Sequence, residues 1–247
     1  MKIIISPAKK MIIEPDILSV HQLPRFQEKT AQLCSQIRQL SYEGCKALWK
    51  CNDKLAALNY ERFQTMNLTQ NLTPAVIAYE GLQYQHMKPS VFTEGELAYI
   101  ADHLRILSGF YGALSPFDGV TPYRLEMQAE LEVNGCKSLY EFWGDCLYHE
   151  VMDEDRVLIN LASKEYSQAI EPYLNADDTM ITCIFGEEKN GKVIQKGTLA
   201  KMARGEMVRF LAEQGAETPE AMKTFTALGF RFDQEQSDSK HYVFLNK

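Results

Sequence analysis

The sequence predicts a single α/β domain over residues 1–247, built on a mixed β-sheet flanked by helices. Three observations carry this. Short apolar runs of strand length, such as Lys2–Ile5 and Val157–Leu161, are interspersed with helical patterns from end to end. Hydrophobic residues make up 45% of the chain, enough for a well-buried core. No repeat, low-complexity tract or Pro/Ser-rich linker divides it.

Lys2–Ile5 is the first strand, closed by Ser6-Pro7. The connection to Pro24 has no clear period. A helical excursion follows over residues 25–66 in three pieces, the first marked by Phe26, Leu33, Ile37 and Leu40. Ser41 caps the second, which reaches about Cys51; Asn52 or Asp53 starts the third, with Leu55, Leu58 and Phe63 apolar. The second and third pieces have the outline of a helix-hairpin-helix. Ala75–Tyr79 reads as a strand. Leu97, Ile100, Leu104 and Leu107 share a helical face, so a helix is expected over residues 94–107, broken at Ser108-Gly109. Gly109, Gly112, Pro116, Gly119 and Pro122 then punctuate the chain too densely for a helix to continue.

The second half reads as a helix from Leu139 to about Met152 with Trp143 inside it, then a strand at Val157–Leu161 and a short helix from Ser163. Met180–Phe185 and Lys192–Lys196 flank Asn190-Gly191, a strong hairpin signal. Thr198 is placed to cap a helix running to about Gln214, and Thr218 a short one to about Leu228. Phe230–Phe232 and Tyr242–Phe244 are the closing strands.

Bulk chemistry excludes several classes. Net charge is −7, distributed as +4 over residues 1–60, −10 over 61–155 and −1 over 156–247. A negative whole-molecule field works against nonspecific nucleic-acid binding but allows a local basic groove. No apolar run approaches the ~20 residues of a membrane helix. The N-terminal apolar run is too short for a secretion signal, so no membrane association and a cytoplasmic location are expected. Six cysteines without a C-x-x-C pair read as reduced thiols. Five scattered histidines without ligand spacing predict no metal site and no cofactor. No G-x-S-x-G elbow is present.

The polar surplus lies in a few places. Ser6-Pro7-Ala8-Lys9-Lys10 follows the first strand and can aim N–H and ammonium groups at an anion; it equally suits a surface turn. In Tyr123-Arg124-Leu125-Glu126, a strand would place Arg124 and Glu126 on one face. There the arginine can grip a carboxylate or phosphate with two parallel hydrogen bonds, or form a structural ion pair with Glu126. Asp145 follows Gly144 in an aromatic-rich stretch, where a helical glycine costs about 1 kcal/mol and hints at a close approach. Asn160 sits in an apolar strand and needs hydrogen-bond partners, and Ser163 stands where that strand hands over to a helix. On the helix from Thr198, Lys201 and Arg204 share the face opposite Leu199, Ala203, Met207, Phe210 and Leu211. Gly205 removes a side chain beside Lys201, so this basic face can receive an anion or remain solvated.

Taken in order, seven stretches are similar to those of the YaaA family of bacterial cytoplasmic proteins. They are Ile5–Lys9, Asp53–Ala56, Leu104–Leu114, Pro122–Met127, Leu139–Asp145, Ile159–Ser163 with Glu165-Tyr166, and Ala203–Gly205. The resemblance spans nearly the whole chain. It implies a single domain of unusual topology, a helix-hairpin-helix element, a positively charged cleft, DNA binding, and a role in limiting iron-linked peroxide damage. One departure stands at Glu80-Gly81-Leu82-Gln83-Tyr84, where many members have an acid after the glycine. That acid's role does not carry over.

Two functional readings follow. In one, a DNA-binding stress protein contacts phosphates through Lys46, Lys50, Lys54, Lys201 and Arg204, with Trp49 stacking or wedging. In the other, an enzyme acts on a small anionic or nucleobase-containing molecule. Ser6, Lys9, Tyr123, Arg124, Asn160, Ser163, Lys201 and Arg204 bind the ligand, and Glu126 or Asp145 does acid–base work. The second reading requires at least four of these residues in one pocket.

Overall fold

The computed structural model describes residues 1–246. In chain order the elements are β1 (Lys2–Ile5), β2 (Lys10–Met11), α1 (Gln27–Arg38), α2 (Tyr42–Trp49), α3 (Asp53–Thr65), β3 (Thr73–Pro74), α4 (Ala75–Ala78), β4 (Tyr79–Glu80), α5 (Leu82–Met87), α6 (Glu94–His103), β5 (Leu104–Ser108), β6 (Gly112–Leu114) and β7 (Gly119–Val120). They continue with α7 (Leu139–Trp143), α8 (Cys146–Val151), β8 (Val157–Leu161), α9 (Lys164–Ser167), β9 (Thr179–Lys189), β10 (Lys192–Ile194), α10 (Gly197–Gln214), β11 (Phe230–Phe232) and β12 (His241–Asn246). The main sheet runs β11-β12-β9-β8-β1-β5-β6, with β10 hairpinned onto β9. β1, β5, β8, β9 and β12 are mutually parallel; β6, β10 and β11 pair antiparallel. The mixed α/β architecture is therefore as the sequence predicts.

β1 is the pivot. Ile3, Ile4 and Ile5 are all fully buried, so both faces of this strand must be covered; α6 and α8 both pack on it. From β1 the sheet grows one way through β5 and β6, and the other way through β8, β9 and β12. The strand order reverses here, and in open α/β sheets ligands collect at the carboxyl ends of strands beside such a reversal.

Local chemistry sets several boundaries where expected. Ser41 accepts the Gly44 N–H at 3.1 Å and Asn52 accepts that of Leu55 at 3.0 Å, starting α2 and α3. Asn190 and Gly191 adopt φ of 53° and 72°, the left-handed pair a two-residue hairpin needs.

Four expectations are corrected. The helix over 94–107 stops at His103, and Leu104–Ser108 is a strand in parallel register with β1, Ile3 opposite Leu104. Four of its five residues are buried, and an apolar run buried on both sides has no period to betray it. Ala75–Ala78 is a helical turn rather than a strand, its first N–H groups bonded to Asp118 and Pro116 carbonyls; it too is buried all round. The 139–152 helix is two short helices broken at Gly144, whose φ of 55° fits no continuous helix. Residues 123–127 form no strand, yet their alternation survives: Tyr123, Leu125 and Met127 are buried while Arg124 and Glu126 are half-buried. Two caps also differ, since Thr198 lies inside α10, which starts at Gly197, and Ser163 makes no capping bond.

Candidate functional site

A cleft of about 400 Å³ opens at the carboxyl ends of β1 and β8, beside the reversal of strand order. Ser6 ties the two strand ends together. Its Oγ accepts the Ser163 N–H at 2.8 Å and donates to Ser163 Oγ at 3.2 Å. Ser163 is therefore a latch between strands as well as the first residue before α9.

The stretch Tyr123–Glu126 forms one wall, and its position depends on Gly109. A Cβ at Gly109 would stand 2.7 Å from the Leu125 carbonyl oxygen, so only glycine lets the two backbones pass. Trp143 fixes that turn from below, donating Nε1–H to the Gly109 carbonyl at 3.0 Å. Arg124 lies 3.1 Å from Glu126, and Lys9 lies 2.8 Å from the other oxygen of the same carboxylate. One acid thus holds two cations, and Arg124 Nε is buried without a hydrogen-bond partner. Lys10 and Glu80 pair at 2.8 Å on the rim.

Glu165, on α9, completes this wall and was missed as a site residue. Burial pushes its carboxyl above the ordinary glutamate range, the Gln128 N–H pulls it back, and the charge of Glu126 adds to the rise. Two carboxylates in one cleft, one clamped by cations and one shifted towards its neutral form, are the ingredients of an acid–base pair.

Aromatic hydroxyls line the floor. Tyr123 lies 2.6 Å from Ser108 Oγ and 2.9 Å from the Tyr79 hydroxyl. Ser108 Oγ already accepts the N–H groups of Phe110 and Tyr111, so its own proton points to Tyr123. Burial pushes the Tyr123 phenol up to about 12, with the Ser108 and Tyr79 hydrogen bonds opposing the rise. Tyr84 donates to the Ser6 carbonyl at 2.9 Å, and Tyr166 also faces the cleft.

The far wall is α10. A Cβ at Gly205 would come 2.1 Å from the Gln83 carbonyl oxygen. The glycine therefore lets α10 and α5 touch backbone to backbone; it does not clear a basic face as the sequence suggested. The close contact brings Lys201 and Arg204 to the cleft. Neither makes an ion pair among the described residues, and Arg204 Nε is buried without a partner. Burial lowers the Arg204 guanidinium from its ordinary value.

Of the residues singled out from sequence, the cleft gathers Ser6, Lys9, Tyr123, Arg124, Glu126, Ser163, Lys201 and Arg204. Two lie elsewhere. Asp145 sits at the α7–α8 break, exposed, 3.4 Å from His149. The sharp turn at Gly144, not the acid, is what that stretch required. Asn160 is buried, donating to Thr182 Oγ1 at 3.2 Å and accepting the Ala162 N–H at 2.9 Å, and it lines a second cavity. Trp49 is buried in the core against Phe63, so it cannot stack on a ligand in solvent. Lys46 pairs with Asp53 at 2.5 Å and Lys50 with Glu130 at 3.1 Å, while Lys54 is exposed. Among the described residues no group of three or more His, Cys, Asp or Glu is placed to hold a metal ion. No helix there is long and apolar enough to cross a membrane.

Comparison with known proteins agrees with this picture at the level of the whole chain. A family model described as peroxide stress protein YaaA matches residues 1–236. A UPF0246 protein of Agathobacter rectalis is 54% identical over 247 residues, covering 100% of this chain and 99% of its own. Similar proteins of Desulfitobacterium hafniense and Lachnoclostridium phytofermentans are 51% and 52% identical over 245 residues, covering 98% and 96% of their own lengths. With the family model spanning nearly all of it and relatives matching from end to end, the chain belongs to the YaaA peroxide stress protein family.

Proposed function

We propose that the cleft binds a small phosphate-bearing molecule, a nucleotide or a related nucleobase-containing anion, and performs acid–base chemistry on it. The observation that carries this reading is Arg204, a largely buried guanidinium that faces the cleft with no carboxylate to neutralise it. A buried charge left unmatched costs the fold, and an anionic ligand repays that cost. Lys201, one turn earlier on α10, adds a second donor. Opposite them Arg124 and Lys9 flank the Glu126 carboxyl, and burial biases the neighbouring Glu165 towards its protonated form, fit to donate a proton. Tyr123 and Tyr166, both buried, border the cleft and give it an aromatic floor.

The test is calorimetric titration of adenosine monophosphate into the protein and into Arg204→Met. Loss of a charge-assisted hydrogen bond, about 1.5–3 kcal/mol, predicts roughly ten- to a hundredfold weaker binding. Equal affinity in the two proteins contradicts the reading.

A DNA-binding reading has its own observation. A groove of about 390 Å³ leads from Lys9 and Glu126 to Trp49 and Lys50 at the α2–α3 turn, so the cleft continues to the helical pair. On this reading a DNA strand passes Lys46, Lys50 and Lys54 and reaches Lys201 and Arg204. Affinity then falls with salt by a log–log slope near −0.9 per duplex phosphate contacted. A filter-binding series at rising salt that shows no binding at the lowest salt rejects it. In either reading, limitation of iron-driven damage acts through the bound anion or DNA rather than through iron held on this chain.

A further inference from the structure

Arg204 borders two cavities at once. Besides the cleft it lines a second, larger hollow of about 730 Å³ over the β8–β9 surface. The ridge between them is the turn from β8 into α9. Ser163 faces the cleft, whereas its neighbours Ala162 and Lys164 line the second cavity. Arg204 borders both spaces across this ridge, and its Nε is buried without a hydrogen-bond partner.

The cavities differ in chemistry. The cleft presents tyrosine rings and the paired carboxylates. The second cavity mixes apolar and charged side chains with a set of neutral hydrogen-bonding groups, Asn160, Thr182, Ser167, Asn175 and Gln195. Its acids are already engaged. Glu171 pairs with Lys164, and Asp178 lies 2.6 Å from Arg156. Thr182 Oγ1 accepts from Asn160 and keeps its own proton for a ligand. Lys240, on the rim, makes no ion pair among the described residues. Three unmatched cations, Lys201, Arg204 and Lys240, therefore run from the cleft across the ridge to the second cavity.

We propose that the two cavities form one site for a two-headed molecule bridged by phosphate, of the nucleotide-sugar class. Its phosphates sit on Arg204, its heterocycle lies in the tyrosine-lined cleft, and its hydroxyl-bearing head fills the second cavity. Thr182 and Gln195 donate to the hydroxyls, and Lys240 meets the outer phosphate. This inference rests on the anion-binding reading of the cleft and adds the second head to it.

The test compares two probes on the full chain by calorimetry. Adenosine monophosphate can fill only the cleft and the ridge; adenosine diphosphate ribose can fill both cavities. Ala176→Trp, at an exposed position on the second cavity's rim, blocks that cavity without touching the cleft. The expected result is at least tenfold tighter binding of the two-headed probe, with the gain abolished in Ala176→Trp and monophosphate affinity unchanged. Equal affinity for the two probes, or a gain that survives Ala176→Trp, overturns the two-headed site while leaving the cleft reading intact. If neither probe binds, both fall together. Thr182→Val supplies an independent variant: it should reduce only the two-headed gain, and weakening of both probes alike contradicts the assignment.

Discussion

Two basic regions of this molecule share residue types and differ in electrostatic state. On the α2–α3 pair, Lys46 and Lys50 face Asp53 and Glu130, and Lys54 is solvated. On α10, Lys201 and Arg204 face a cleft with no acid of their own, and Arg204 is largely enclosed. A cation matched on the surface gains little from a new anion, because water and its partner already satisfy it. An unmatched, enclosed cation gains much. Counting lysines would rank the α2–α3 pair first for anion binding; weighing their partners reverses the order.

Four predictions press on this contrast. The largest effect belongs to the contact that sets up the α10 wall. Gly205→Ala drives a methyl group to 2.1 Å from the Gln83 carbonyl, and about 3 kcal/mol or more of destabilisation is expected. For a chain of this size that lowers the melting temperature by roughly 6–12 °C, read by thermal unfolding. A wild-type melting curve would mean that the two helices are not locked at this point.

Arg204→Met should move function and stability in opposite directions. Anion binding weakens about ten- to a hundredfold, whereas urea unfolding shows equal or greater stability, because an uncompensated guanidinium has left a nearly closed site. A variant that loses stability instead would make Arg204 a structural residue.

Glu165 supplies a pH signature. Burial, with help from Glu126, raises its folded value above that of the unfolded chain. Its contribution is then fully present below about pH 4, where both states are protonated, and is lost as pH rises through the folded value. Glu165→Gln should therefore be more stable than wild type at pH 8, with the margin closing towards pH 4. A margin that stays constant across the series would leave no role for the carboxyl's ionisation.

The smallest effect is expected on the other region. Lys50→Ala removes an exposed pair with Glu130 and should change stability by under about 1 kcal/mol, with nucleotide affinity unchanged. A loss of affinity comparable to that of Arg204→Met would erase the contrast.

Much of the fold was legible because local chemistry wrote it. Ser41 and Asn52 cap their helices, Asn190-Gly191 turns its hairpin, and Ile3–Ile5 announces a strand buried on both faces. Legibility failed where burial is uniform: Leu104–Ser108 and Ala75–Ala78 carry no period, and only pairing with β1 or the Asp118 loop decides their form. In the candidate site, sequence brought forward Lys9, Arg124, Glu126, Lys201 and Arg204, which the fold gathers from three separate segments. It could not say which cations are matched, since Lys50 meets Glu130 across 80 residues of chain. It misplaced Asp145 and Trp49 for a related reason: a polar or aromatic residue does not reveal from composition which way it faces.

The most direct test of the central claim is a crystal of the protein soaked in tungstate, a phosphate mimic whose position is read from its anomalous signal. The unmatched cations of α10 predict one strong site on Arg204 and Lys201, within the cleft and absent from Arg204→Met crystals. Tungstate at Lys46, Lys50 or Lys54 with the α10 wall empty would contradict it.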